Sequence, residues 1–110
     1  HQTSAKYAAD QSEFEAVNLT PIFKNDFHAP YVEESPVQIG LQLEEIHHIK
    51  CNDTIHVIGK IIHLYLPESS VAEDGLFDLS AHEVVSIGGL DTYYSTDKLA
   101  QLKYAKVKSA

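Results

Sequence analysis

The chain has no arginine, no methionine and no tryptophan, and its one cysteine is Cys51. Eight lysines stand against sixteen acidic residues, for a formal net charge of −8. Phosphate-backbone binding needs clustered lysine or arginine, so this balance argues against a nucleic-acid partner. A single cysteine cannot form an internal disulfide, which fits a reducing, cytoplasmic setting. The longest mostly apolar stretch, Ile55 to Leu66, is broken by His56, Lys60 and His63. It is too short and too polar to span a bilayer as a helix, which argues against a membrane protein. A chain that opens on His1 and contains no methionine reads as processed or as cut from a longer protein, and truncation is the favoured expectation.

What is present is ordinary globular composition: 110 residues, 44% hydrophobic and 22% charged, the size of one small domain or of part of a larger one. The charge is uneven. Lys98, Lys103, Lys106 and Lys108 face only Asp97 across residues 97–110. Such a tail reads as a solvated helix face or as a contact for an anionic partner.

The chain divides into a connection with a short helix (1–35), a β-hairpin (36–66) and a C-terminal segment (67–110), taken together as one domain. Ser12-Glu13-Phe14-Glu15 has capping-box spacing, and Pro21 closes the helix that it opens. The stretch from Phe23 to Ser35 reads as a surface connection. Val37, Ile39, Leu41 and Leu43 then alternate with Gln38, Gly40, Gln42 and Glu44, the period of a strand with one buried face. Turn residues Lys50 to Asp53 lead to a second strand, Thr54 to Leu66, apolar on both sides as in a central or barrel strand. Beyond Pro67, Ser80 to Glu83 repeats the capping-box spacing ahead of a brief helix. Val84 to Ile87 reads as a short strand stopped by Gly88-Gly89, and Asp97 to Ala105 as a terminal amphipathic helix. The expected fold is mainly β, with short helices and too few strands to close on itself; a lone hairpin is marginally stable in water.

Candidate chemistry is sparse. His48, Cys51 and His56, with His47 and Asp53 adjacent, place possible zinc ligands around one hairpin turn, but match no paired-ligand spacing, and a polar hairpin tip is the favoured reading. His63 reads as a hydrogen-bonded wall residue and His82 as a surface one. Ser69-Ser70 lacks a nucleophile-elbow setting, and Cys51 lacks a helix N-terminus to activate it. Glu33-Glu34 and Glu44-Glu45 are neighbours on extended segments, so each pair splits across two faces. Gly88-Gly89-Leu90-Asp91-Thr92-Tyr93-Tyr94 is more suggestive: two glycines permit close backbone approach and two tyrosines offer flat rings, which suits a planar ligand or a plain turn before core tyrosines.

The ordered segments Thr3-Ser4-Ala5-Lys6-Tyr7, Ser12 to Glu15, Leu19-Thr20, Ala29 to Val37, Thr54 to Ile62, Asp74-Gly75 and Gly88 to Tyr93 resemble the flavin reductase-like family, over about residues 1–94. The resemblance implies the C-terminal half of an FMN-binding split barrel, a β-barrel with short helices. It implies a homodimer holding FMN near the subunit interface, with NAD(P)H as hydride donor, and this chain as a portion not competent alone. By position in the family pattern, Thr3, Ser4 and Lys6 would lie near the flavin phosphate or ribityl chain. Gly88, Gly89 and Tyr93 would lie beside the ring or the nicotinamide. Many relatives carry a basic residue before the glycine pair, where this chain has Val85-Ser86-Ile87. No protein nucleophile and no metal is implied. The alternatives are a flavin carrier without nicotinamide turnover, or a small histidine-rich metal-binding or interaction protein.

Overall fold

A computed structural model describes residues 1–108. After a 3-10 turn at Gln2–Ser4 comes helix α1 (Glu13–Val17). Ser12 sits at its N-cap in extended geometry, yet no side-chain capping bond forms, so the expected capping box is not made. The helix stops because Asn18 turns left-handed, φ 57°, and returns its N–H to the carbonyls of Phe14 and Glu15. Asparagine is among the few non-glycine residues that visit this region readily.

Strands β1 (Pro21–Ile22) and β2 (Tyr31–Val32) then pair antiparallel, β2 inside the stretch expected to be a plain connection and β1 immediately before it. Strands of two residues are too short to show a period. They matter because they position Tyr31, which at 5% exposed is the most buried hydrophobic side chain described.

β3 (Gln38–Ile49) and β4 (Thr54–Tyr65) form the antiparallel hairpin, closed by a turn in which Asp53 is left-handed at φ 53°. Both strands run where the alternation and the turn residues put them, with β3 continuing past the alternating run, from Glu45 to Ile49. Two register shifts leave Ile62 and Glu44 without a cross-strand partner. A bulge moves the side-chain alternation by one residue. On β4, Val57 and Ile61 share one face and Ile58 belongs to the other by ordinary alternation, while Ile62 stands at the bulge.

The chain forms two compact units, His1–Glu68 and Ser69 onward. In the second, an isolated bridge joins Val71 to Phe77, and Asp78 Oδ1 accepts from the Ser80 N–H, the Ser80 hydroxyl and the Ala81 N–H to cap a 3-10 turn at Ser80–His82. Leu79 holds the N-cap position and Asp78, one residue before it, takes these donors, so Ser80 does not cap the turn as expected. Strands β5 (Val85–Gly88) and β6 (Thr92–Ser95) pair antiparallel around Gly89, φ 67°. The terminal helix expected at 97–105 is absent: residues 97–108 have no regular structure. Leu99, Leu102 and Tyr104 are 98%, 86% and 91% exposed. An amphipathic stripe becomes helical chiefly when it packs, and here nothing receives it. Among the described residues, no helix is long and apolar enough to cross a membrane.

Candidate functional site

The residues expected to meet a cofactor fall into two groups, one in each unit. In the first, the Gln2–Ser4 turn is held by Ser4 N–H to the His1 carbonyl (3.0 Å), Ala5 N–H to the Gln2 carbonyl (3.2 Å) and Tyr7 Oη donating to the Gln2 carbonyl (2.9 Å). Ser4 Oγ donates to the His1 carbonyl at 2.7 Å, so its hydrogen is committed within the turn. Lys6 is exposed. Thr3 lines a shallow hollow of about 130 Å³ with Glu13, Phe14, Val17, Leu19 and Val32.

In the second unit, Gly88 and Gly89 belong to the β5–β6 hairpin. Gly88 pairs with Thr92, and a Cβ there would come within 3.0 Å of the Tyr94 ring. Gly89 combines a left-handed backbone with open space on its Cβ side, the two properties that let a backbone approach a ligand closely. Tyr93 and Tyr94 are about half exposed and stand next to each other on β6, so their side chains project from opposite faces. They cannot clamp one planar ring between them as consecutive residues.

The same unit holds a cavity of about 240 Å³ lined by Leu76, Phe77, Asp78, Ser80, Thr96 and Lys98. Asp78 is held well below the usual carboxylate range, first by the Ser80 hydroxyl and then by Lys98, whose Nζ lies 3.1 Å from Oδ2. His82 stacks on Phe77 with ring centroids 4.5 Å apart.

Sequence reasoning missed a third cluster, at the base of the β3–β4 hairpin. Tyr31 stacks with Phe27 (5.5 Å) and meets Tyr65 edge-on (5.5 Å), while Phe27 meets His63 edge-on (5.7 Å). Lys24 Nζ lies 4.6 Å from the Tyr65 ring centroid and donates to Gln38 Oε1 at 2.6 Å. Gln38, 8% exposed, donates its amide to the Val32 carbonyl at 2.8 Å. Burial, and then the neighbouring Tyr65, pushes the Tyr31 phenol above its usual value, so it stays protonated. The available signal was the aromatic and histidine spacing of Phe27, Tyr31, His63 and Tyr65, which only the register of β3 with β4 gathers into one place. Among the described residues, no group of three or more His, Cys, Asp or Glu is gathered closely enough to hold a metal ion.

This hairpin with bulges, flanked by short strands and turns, superposes closely on solved structures. A Shewanella frigidimarina protein assigned as a flavin reductase with a split barrel domain matches 96% of this chain at 50% identity, with a TM-score of 0.91. Its fold is that of the flavin reductase-like family. Flavoredoxin of Desulfovibrio vulgaris (Miyazaki F) matches 93% of the chain at 30% identity, TM-score 0.67. Nitrilotriacetate monooxygenase component B from Bacillus cereus, 20% identical over 92% of the chain with a TM-score of 0.76, shares the fold. No family model and no curated protein matches. The chain spans about half the length of these proteins, 53%, 54% and 52% respectively. The mainly β, split-barrel expectation therefore holds, and the resemblance drawn from the ordered segments is borne out.

Proposed function

We propose that this chain is the C-terminal portion of a flavin-dependent oxidoreductase of the flavin reductase-like type, with FMN as cofactor and NAD(P)H as hydride donor. The observation that carries the proposal is the 50% identity to a flavin reductase-assigned split-barrel protein over 96% of the chain. The open apolar face of the β3–β4 hairpin supports the reading of a portion: Leu41, Ile61 and Val57 are 50%, 58% and 56% exposed, as strands are when the rest of their barrel is elsewhere. A homodimer and a cytoplasmic location belong to the same proposal, the second supported by the single exposed cysteine.

The donors present fit the anionic end of a flavin mononucleotide. Thr3 offers a hydroxyl and Lys6 an ammonium, both exposed, in a chain without arginine. Ser4 would exchange its bond to the His1 carbonyl for one to phosphate. At the other group, the left-handed Gly89 leaves room for backbone to approach the ring or the nicotinamide, and the half-exposed Tyr93 ring offers a flat apolar surface beside it. A bound flavin supplies the hydride-accepting chemistry; these residues bind and orient.

The test is a titration with FMN followed by flavin fluorescence, with this chain and the longer parent in parallel. The expected outcome is binding by the parent and weak or no binding by the chain. Failure of both to bind would overturn the proposal. The likeness to flavoredoxin favours a second reading, a module that holds flavin without oxidising nicotinamide. NAD(P)H oxidation by the flavin-loaded parent separates the two.

A further inference from the structure

The β3–β4 ladder sets two histidines directly opposite each other near the tip of the hairpin, away from the aromatic base. His47 pairs with His56, their ring centroids 6.1 Å apart and their planes at 47°. Glu45, two residues before His47 and so on the same face, lies with Oε2 2.8 Å from His47 Nε2. His48 pairs with Ile55 on the opposite face, and Cys51 lies in the turn. The histidine grouping that the bare spacing suggested, His48 with Cys51 and His56, is therefore split. A different pair is assembled in its place.

We propose that His47 and His56 form a two-imidazole chelate for a divalent transition cation, with Glu45 as a positioning carboxylate and water completing the coordination. Imidazole suits zinc, copper and nickel, and among first-row divalent ions copper(II) binds most tightly to a given nitrogen site. Two imidazoles bound side by side on one ion, each with a metal–nitrogen distance of about 2.0–2.1 Å, hold their ring centroids roughly 4.5 to 5 Å apart. The observed 6.1 Å is about 1 Å wider than a bound pair needs. Small side-chain rotations close it, and both residues are exposed enough to make them. The strand pairing already fixes the two Cβ atoms, so the chain loses little further freedom on binding. Glu45 supplies the remaining element. With the His47 proton on Nε2 and donated to Glu45, the Nδ1 lone pair becomes the metal donor, in the carboxylate–histidine–metal order common at such sites. This chelate is independent of the flavin reading, because none of its residues belongs to either expected cofactor group.

The test is titration of the full chain with copper(II), followed by electron paramagnetic resonance for coupling to imidazole nitrogen. One copper per chain carrying two imidazole nitrogens is expected. His47→Gln and His56→Gln should each weaken binding at least tenfold. Glu45→Gln should weaken it about tenfold with the two-nitrogen signature kept. His48→Gln, on the other face, should change nothing. Circular dichroism of each variant establishes that the hairpin is retained. A two-nitrogen signal that survives in the H47Q/H56Q double variant, or an equal loss in H48Q, would overturn the proposal by placing the copper elsewhere.

Discussion

The two faces of the β3–β4 hairpin are made by the same ladder and meet opposite fates. One face carries Gln38, Gly40, His63 and Tyr65 at its base, and there Phe27, Tyr31 and Lys24 close over it. The other carries Ile39, Leu41, Leu43, Ile46, Val57, Ile61 and Leu64, each between 46% and 60% exposed. The more polar face is the one covered from within the chain, and the apolar face is the one left open. Burial of apolar area is the main favourable term in folding. A chain that leaves its best apolar surface uncovered has not used most of that term, so the aromatic base must carry much of what order the first unit has. The difference separates what this chain does for itself from what a longer protein would add.

The largest effect is expected at Gly40, which is buried where the covered face is tightest. A Cβ there would collide with the Tyr31 hydroxyl and sit 3.0 Å from His63 Cβ. Gly40→Ala should destabilise the first unit by about 1–3 kcal/mol, the usual cost of overpacking. Chemical denaturation followed by tyrosine fluorescence checks this; an unchanged midpoint would mean that the aromatic base is not formed in solution.

Acid should loosen the covered face next. Glu34 accepts from the Thr20 hydroxyl (2.7 Å) and the Thr20 N–H (3.0 Å), which fastens the β1–β2 pair that positions Tyr31. These bonds, the hydroxyl first, hold the Glu34 carboxyl below its ordinary value of 4.5. A depressed carboxylate contributes stability above its unfolded-state pKa and loses it as pH falls through the lower folded value. Glu34→Gln should therefore be less stable than the parent sequence at neutral pH, and the gap should narrow below about pH 4.5. Paired unfolding curves at pH 7 and pH 3 measure it; a gap that does not depend on pH would remove the carboxylate from the account.

The hairpin itself was legible in the residues because Val37 to Glu44 alternates cleanly through four pairs and the turn at 50–53 is rich in turn formers. The family was legible from short ordered segments. What stayed hidden depended on register. The Ile62 and Glu44 bulges change which side chains share a face, and only with them in place do His63, Tyr65 and Gly40 meet Tyr31, or His47 meet His56. The terminal segment failed for the opposite reason. Leu99 and Leu102 have helical spacing, but a stripe with nothing to pack on does not specify a helix. Thr3, Ser4 and Lys6 on one unit, and Gly88, Gly89 and Tyr93 on the other, came from the family pattern alone; local geometry describes each group without joining them.

On the open face, charge should cost little. Leu41→Lys with Ile61→Glu replaces side chains 50% and 58% exposed with opposite charges directly across the ladder, and should shift stability by no more than about 0.5 kcal/mol in this chain. Binding of a hydrophobic dye should fall several-fold. The same pair of changes in the longer parent should prevent folding if the rest of the barrel lies against this face. Equal tolerance in both would show that the face is free in the parent as well.

The smallest expected effect is the most discriminating. Tyr31 is buried, yet its hydroxyl has no hydrogen-bond partner among the described residues. A buried hydroxyl without a partner contributes its desolvation cost and no bond, so Tyr31→Phe should leave stability unchanged or raise it slightly. The ring contacts with Phe27 and Tyr65 survive the change. Because the collision expected in Gly40→Ala is with that same hydroxyl, Tyr31→Phe should restore part of the stability that Gly40→Ala removes. Neighbouring changes that share one contact are not additive, and the double-mutant cycle measures the shortfall. Additive effects would place the strain at His63 instead. A clear loss in Tyr31→Phe alone would mean that the hydroxyl is bonded in solution, most simply to an ordered water held at the base of the hairpin.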